Sequence, residues 1–125
     1  MLQKLLLISL GSILGANLRY LVAQLVAKLV PSSFPFGTLA INISASFLLG
    51  LFLVWTSERV LVDPRWRMLI AVGFCATYST YSSYAFETFA LFEKGHFGLA
   101  ALNILATNIV CFIAVVLGAI VARSL

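Results

Sequence analysis

The chain has 125 residues; 62% are apolar, only 10% are charged, and eight Lys and Arg against four Asp and Glu give a net charge of +4. Soluble domains are about half apolar and about a quarter charged, so this chain has too few charges to cover a water-facing surface, and its apolar content excludes intrinsic disorder. The basic residues are scattered between apolar runs, which does not indicate a nucleic-acid surface, and we expect an integral membrane protein.

Four apolar segments follow one another along the chain. Three contain no charged residue, at 29–57, 68–86 and 97–122, whereas the first is interrupted by Arg19. A helix needs about 20 apolar residues to cross about 30 Å of hydrocarbon, and each segment is long enough. The sequence therefore predicts one all-α transmembrane domain comprising residues 1–125. Its predicted spans lie at about residues 5–30, 37–57, 68–92 and 97–122.

The basic residues are distributed unevenly between the two sides of the predicted bundle. Five lie on the side that carries both chain ends, and two lie on the other side. The five are Lys4, Arg59, Arg65, Arg67 and Arg123, and the two are Lys28 and Lys94. This distribution favours cytoplasmic chain ends, but a bias of this size also permits the inverted orientation.

The third span has an unusual composition for a helix in lipid. Gly73 opens a stretch that ends at Tyr84, and every residue from 77 to 84 is Ser, Thr or Tyr. Such hydroxyls compete for backbone hydrogen bonds, and a non-helical backbone at membrane depth needs protein or a wet cavity around it. We therefore predict a break in this helix near the membrane middle. The alternative is an intact helix whose hydroxyls bond back to their own carbonyls.

The other spans supply further polar groups. Asn42 is a lone amide in span two, and Asn103, Thr107 and Cys111 share one face of span four at i, i+4 and i+8. Intramembrane polar residues usually face an interior path or a partner helix, and both uses are open for these side chains. Because they are mainly hydrogen-bond donors and no Asp or Glu lies in the middle of a span, a path between them suits a small anion.

Several ordered motifs resemble those of the small fluoride channels of the Fluc or CrcB family. The resemblance runs through all four spans, and it is strongest in the hydroxyl-rich third span. The motifs are GANLRY at residues 15–20, GTLAIN at 37–42, DPRW at 63–66 and GFCATYSTYSSY at 73–84. The resemblance implies a passive fluoride channel of the cell membrane, not an enzyme, which exports the anion and lowers its cytoplasmic concentration.

The resemblance also implies an architecture. In this family two subunits pack antiparallel, in opposite orientations, and form two fluoride pores. A structural sodium ion at the centre of the dimer is held by backbone carbonyls where the third helix breaks. The matching positions here are Ala76 and Ser79.

The implied pore residues carry over one position at a time. Asn42 matches an amide donor to the anion, Tyr81 and Tyr84 stand where the family has two pore phenylalanines, and Arg19 would attract or orient the anion. A hydroxyl cluster in span three and a polar track in span four complete the implied pore. The cluster is Thr80, Ser82 and Ser83, beside Ser79, and the track is Asn103, Thr107 and Cys111.

The chain departs from the family pattern at several of these positions, which leaves alternatives open. Tyrosine replaces both phenylalanines, and Ala76 and Thr77 replace two glycines. The chain could therefore pair with itself or with a paralogue that supplies the more typical pore, or it could be a non-transporting subunit of such a pair. A further alternative is a small dual-topology exporter of drugs or other cations, for which Glu87 is the only carboxylate within a span.

Overall fold

The computed structural model describes residues 1–58 and 62–125, and within these two ranges it contains helices and no strand. Arg59, one of the basic residues counted in the charge bias, lies outside the described residues. The long helices are α1 (Leu2–Leu29), α2 (Phe36–Ser57) and α6 (Phe97–Ser124). Between α2 and α6 lie the short helix α3 (Pro64–Trp66), the π-helix π1 (Arg67–Cys75), the single turn α4 (Ala76–Tyr78) and the helix α5 (Tyr81–Glu93).

Helices α1, α2 and α6 are long and apolar enough to cross a membrane. They contain 28, 22 and 28 residues, which at 1.5 Å per residue span about 33 to 42 Å. Large apolar side chains are exposed along them; Leu14 and Phe112, for example, are 63% and 71% exposed. The chain is therefore an all-helical integral membrane protein.

Prolines set the short connection between α1 and α2. The amide of Val30 makes the final hydrogen bond of α1, to the carbonyl of Val26 at 2.8 Å, and Pro31 cannot extend that pattern because it has no N–H. Pro35 precedes the first residue of α2, where a missing N–H costs nothing, and its carbonyl accepts from Leu39 at 3.1 Å. The two helices consequently run as antiparallel neighbours.

The helix predicted for the third span is interrupted at Ser79 and Thr80, inside the hydroxyl-rich stretch. Both residues are extended, with ψ of 159° at Ser79 and φ, ψ of −151° and 112° at Thr80. Thr80 then caps α5, because its hydroxyl oxygen accepts the amide of Ser83 at 3.2 Å. The interruption divides the segment into two pieces that are each too short to count as a span by length alone.

The π-helical winding of π1 was not expected from the sequence. It lies against α1, where glycines bring the two backbones together: a Cβ added at Gly11 would collide with the carbonyl oxygen of Leu69, and one added at Gly15 with the carbonyl oxygen of Phe74. π-Helical turns are rare and often occur near functional sites. Here the winding ends one turn before the break, so it helps to set where the break lies relative to α1.

Close backbone contact also joins α2 to α6. A Cβ at Gly50 would meet the carbonyl of Val115, and a Cβ at Gly118 would meet the carbonyl of Phe47. Each helix thus contributes one glycine at which the other helix's backbone approaches. Such small-residue contacts are typical of helix pairs in membranes, where van der Waals packing replaces hydrophobic burial as the source of stability.

We expect Gly118→Ala to destabilise the protein by about 1–3 kcal/mol, because the added methyl overpacks the contact with α2. Gly98→Ala is the matched control, since it lies in the same helix with nothing within 4 Å of the added Cβ. That control should leave stability unchanged or raise it by up to about 1 kcal/mol. Thermal unfolding in detergent measures both variants, and equal effects would contradict this account of the helix contact.

Candidate functional site

A cavity of about 380 Å³ lies at the break, between α2, α5 and α6. Six of the predicted pore residues line it together with Ser79: Asn42, Thr80, Tyr81, Tyr84, Thr107 and Cys111. The structure adds four residues that the sequence did not assign to the pore: Ser46, Asn108, Phe112 and Val115. Val115 continues the four-residue spacing of the polar track on α6, and Asn108 and Phe112 directly follow two of its members. The helical pattern thus placed these three residues near the track, but it did not predict that they line the cavity.

The side chain of Asn42 forms hydrogen bonds with both backbone groups of Thr80, the second residue of the break. Its side-chain amide donates to the carbonyl of Thr80 at 3.1 Å, and its side-chain oxygen accepts the amide of Thr80 at 2.8 Å. Asn42 is 8% exposed, so these bonds satisfy backbone groups that a break would otherwise leave buried and unpaired. One amide hydrogen of Asn42 is used in this way, and its second hydrogen is left for another acceptor.

The hydroxyls of the third segment divide between internal bonds and the cavity. Thr80 donates to the hydroxyl of Ser83 at 3.0 Å, and Thr77 donates to the carbonyl of Gly73 at 2.6 Å. Ser82 is exposed and Ser83 is half-buried, and neither lines the cavity. Some hydroxyls therefore do bond back within their own segment, as the alternative of an intact helix supposed, but they do so beside a break.

The two predicted pore tyrosines sit in different environments. Their ring centroids are 5.4 Å apart with planes inclined by 60°. Tyr84 is 7% exposed, whereas Tyr81 is 79% exposed and projects away from the chain. Of these two rings at the cavity, that of Tyr84 is therefore buried in the chain and that of Tyr81 is mostly exposed.

The three residues of the polar track on α6 differ in what they contact: one joins α6 to α5, and the other two line the cavity. Asn103 is 2% exposed and donates to the hydroxyl of Thr88 at 2.8 Å, and Thr88 donates to the carbonyl of Tyr84 at 2.7 Å. These bonds tie α6 to α5. Thr107 and Cys111 instead line the cavity, and Asn103 does not. Sequence reasoning missed Thr88, whose spacing of four residues from Tyr84 was the available signal.

Arg19 lies on α1, half-buried and away from the cavity lining. Within residues 1–58 and 62–125, no group forms a hydrogen bond or ion pair with the guanidinium of Arg19. The structure of the single chain therefore does not bring Arg19 to the other predicted pore residues.

The backbone carbonyls of Ala76 and Ser79 lose their usual partners at the break. In a continuous helix the amides of Thr80 and Ser83 would donate to them. Here the Thr80 amide bonds Asn42 and the Ser83 amide bonds the hydroxyl of Thr80. Ala76 is exposed and Ser79 half-buried, so oxygen atoms suited to a hard cation are available at this point of the chain.

Glu87 lies outside this cavity. One of its carboxylate oxygens accepts from the hydroxyl of Thr38 at 2.8 Å, and the other is buried with no partner among the described residues. Both residues border a separate cavity of about 440 Å³ beneath the α1–α2 connection. The contact with Thr38, which is 49 residues away in the chain, was not foreseen from the sequence.

A family model described as "CrcB-like protein, Camphor Resistance (CrcB)" matches residues 6–119. The chain belongs to the CrcB family. Together with its three apolar spans, this membership identifies the CrcB chain as a multi-pass membrane protein.

Curated relatives match this CrcB chain over almost their full length. A protein of Koribacter versatilis named fluoride-specific ion channel FluC is 54% identical over 118 residues, which cover 94% of each chain. Relatives with the same name from Sulfurihydrogenibium and Coxiella burnetii are 38% and 40% identical, over 98% and 96% of this chain and 99% and 98% of theirs.

We expect Asn42→Ala to destabilise the protein by about 1–3 kcal/mol for each backbone group of Thr80 that is left buried and unpaired. Asn17→Ala is the control, because the amide of Asn17 is exposed and bonds only the carbonyl of Ile13 in its own helix. Thermal unfolding in detergent compares the two variants. A loss for Asn42→Ala no greater than for Asn17→Ala would show that the break does not depend on Asn42.

Proposed function

We propose that the chain forms a passive, fluoride-selective channel in the cell membrane that exports fluoride and so lowers its cytoplasmic concentration. The observation that carries the proposal is the cavity at the break. Uncharged hydrogen-bond donors and three aromatic rings line it, and relatives of the chain are named fluoride channels. The same names support the prediction that the chain is not an enzyme, and they do not favour a cation exporter or a non-transporting subunit.

The proposal fits the energetic demand of a small, strongly hydrated anion. Fluoride must exchange water for other donors, or its entry costs many kcal/mol, yet each site must bind weakly enough for release. Suitable donors are the second amide hydrogen of Asn42 and the hydroxyl of Ser46. The hydroxyl of Thr107 also lines the cavity, but it donates to the side-chain oxygen of Asn103 at 3.4 Å, and the anion would have to replace that acceptor. The electropositive edges of Tyr81 and Tyr84 supplement them. Cys111 lines the same path one turn beyond Thr107.

The remaining predicted pore residues do not line the cavity, and in this proposal they position the path or lie outside it. Ser83 fixes the hydroxyl of Thr80, and Asn103 fixes α6 against α5, so both hold the path rather than line it. Arg19 would attract the anion from a distance, and Ser82 would meet it only at the outer surface of the break.

An antiparallel dimer is part of the proposal. The segment from α3 to α5 covers residues 64–93 and would cross the membrane as the fourth span despite its break. The cavity is open on one side, and Tyr81 projects from the chain beside it. A second subunit in the opposite orientation would close that side. The second subunit is either an identical chain or a paralogue, and the small charge bias permits both orientations.

A structural sodium ion at the dimer centre is the corresponding proposal for the carbonyls of Ala76 and Ser79. Hard cations take several oxygen ligands, and two carbonyls from each of two subunits would supply four. In the described ranges no cluster of three His, Cys, Asp or Glu side chains offers an alternative. The ion would fix the two breaks relative to each other.

Fluoride efflux from liposomes with equal pH on both sides tests the function. We expect rapid efflux for the wild type, and a loss of about ten-fold or more for Tyr81→Ile and for Asn42→Asp, because each removes a contact to the anion. Phe86→Ile is the control, since Phe86 is an exposed ring on the same helix as Tyr81.

Unchanged efflux in both variants would contradict the residue assignment. Absence of fluoride flux with or without a paralogous partner would contradict the function. Transport that requires a proton gradient and is abolished by Glu87→Gln would instead favour the exporter.

Thiol modification tests whether the cavity is the path. A small methanethiosulfonate reagent attached to Cys111 should occlude a space of about 380 Å³ and reduce efflux at least ten-fold, whereas the Cys111→Ser variant should be insensitive. The other cysteine, Cys75, is 2% exposed and should not react. Mass spectrometry verifies which cysteine carries the label. Full efflux from channels labelled at Cys111 would place the path elsewhere.

Replacing sodium by a large organic cation tests the proposed ion. If carbonyls of Ala76 and Ser79 hold sodium, its removal should lower the melting temperature of the purified protein, because a ligand that binds only the folded state stabilises it. The effect should persist when the nearby hydroxyl of Thr80 is removed by Thr80→Val, since the proposed ligands are backbone atoms. A melting temperature independent of sodium would remove the ion from the proposal while leaving the fluoride path intact.

A further inference from the structure

Two adjoining cavities lie where the start of α1 meets α3, and they share no lining residue with the cavity at the break. Their volumes are about 300 and 260 Å³. Leu7, Asp63 and Arg65 border both of them. The larger cavity is also bordered by Lys4 and Met68.

The lining of these cavities is amphipathic. Lys4 and Arg65 bring two cationic groups to the larger cavity, whereas Leu7 and Met68 give it apolar walls. A ligand that fits such a lining has an anionic group next to an apolar chain. This combination is the chemistry of a phospholipid with an anionic headgroup.

The local charges leave a positive excess. Asp63 is engaged by Arg65, whose guanidinium lies 3.3 Å from one carboxylate oxygen and whose amide donates to the other at 2.9 Å. Lys4 has no carboxylate within ion-pair distance in the part of the chain that the structure describes, and the first turn of α1 contains no acidic residue. One cation at this cavity therefore remains uncompensated.

The position of the cavities along the helices suits the membrane surface. The apolar run of α1 begins at Leu5, directly after Lys4, so Lys4 marks the edge of the hydrocarbon region. Trp66 borders the smaller cavity and is 52% exposed, and tryptophan is enriched at headgroup level. Leu6 and Leu10 are each 56% exposed on the adjoining surface of α1, where an acyl chain can lie.

We infer that the corner formed by Lys4, Leu7, Arg65 and Met68 binds an anionic phospholipid, with the phosphate between the two cations and an acyl chain along α1. Charge complementarity selects an anionic lipid over a zwitterionic one, because a cation near an anionic lipid headgroup gains about 1 kcal/mol. Bound lipid would stabilise the contact between α1 and the segment that leads into the break.

Melting temperatures of the full-length protein in a neutral detergent test the inference. Titrated phosphatidylglycerol should raise the melting temperature, and phosphatidylcholine at the same concentration should not. Lys4→Gln and Arg65→Gln should each raise the half-saturating concentration of phosphatidylglycerol about five-fold. Lys28→Gln is the matched control, because Lys28 is exposed at the opposite end of the same helix, and it should leave the titration unchanged.

Three outcomes would overturn the inference: equal stabilisation by phosphatidylcholine, an unchanged titration in both Lys4→Gln and Arg65→Gln, or the same stabilisation by inorganic phosphate alone. The last outcome would assign the corner to a free anion instead of a lipid. Fluoride efflux by Lys4→Gln should equal that of the wild type in liposomes made without anionic lipid, so a defect of the path is distinguishable from a defect of the lipid site.

Discussion

The two hydrogen bonds between the side chain of Asn42 and the backbone of Thr80 hold the centre of this protein. An interrupted helix at membrane depth exposes backbone donors and acceptors that water cannot satisfy, at a cost of several kcal/mol for each unpaired group. The carboxamide offers one donor and one acceptor in the geometry of a peptide bond. It thereby replaces the helical partners that Thr80 has lost, and it fixes α2 to the break.

The hydrogen bonds formed by Thr80 at the break change which partners remain for the neighbouring backbone carbonyls. The backbone amide of Thr80 donates to Asn42, and the amide of Ser83 donates to the hydroxyl of Thr80. The carbonyls of Ala76 and Ser79 therefore lose the amides that would bond them in a continuous helix. The same rearrangement opens the cavity between α2, α5 and α6. The break, the cavity and the free carbonyls are thus three aspects of one local departure from helical geometry, and a fluoride path or a sodium site would each exploit a different one.

Close contacts between helix backbones elsewhere in the chain hold the broken helix in position. Gly11 and Gly15 seat α1 on π1 and α4, and Gly50 and Gly118 seat α2 on α6. Because these backbones are in direct contact, the helices have little room to slide past each other. The segment before the break is thereby held against α1, and α2 is held against α6. Asn103 and Thr88 add a polar connection between α5 and α6, where hydroxyl and amide groups would otherwise face lipid. Asn42 and Thr80 serve both the packing and the proposed path, whereas Asn103 and Thr88 serve the packing alone.

The sequence by itself determined the class of protein and its helical layout. A charged content of 10% and long charge-free runs specify membrane helices, and an unbroken series of hydroxyl residues at 77–84 marks where one helix would fail. The bounds of α1, α2 and α6 lie within three residues of the predicted spans, because prolines and charged residues punctuate the apolar runs. Asn42, Thr107 and Cys111, which the sequence singled out as polar groups within the spans, line the cavity at the break, since polar groups in lipid must face protein or a cavity.

The tertiary structure alone decided which polar atoms are already used and which are free. The partner of Asn42 lies 38 residues away, and that of Glu87 lies 49 residues away, so no local pattern contains either contact. The π-helical winding of residues 67–75 likewise matched no pattern that the sequence offered, and it lies against α1 where Gly11 and Gly15 let the two backbones approach. Composition specifies that the hydroxyls need partners, but only the approach of separate helices decides whether a partner is another residue or an ion.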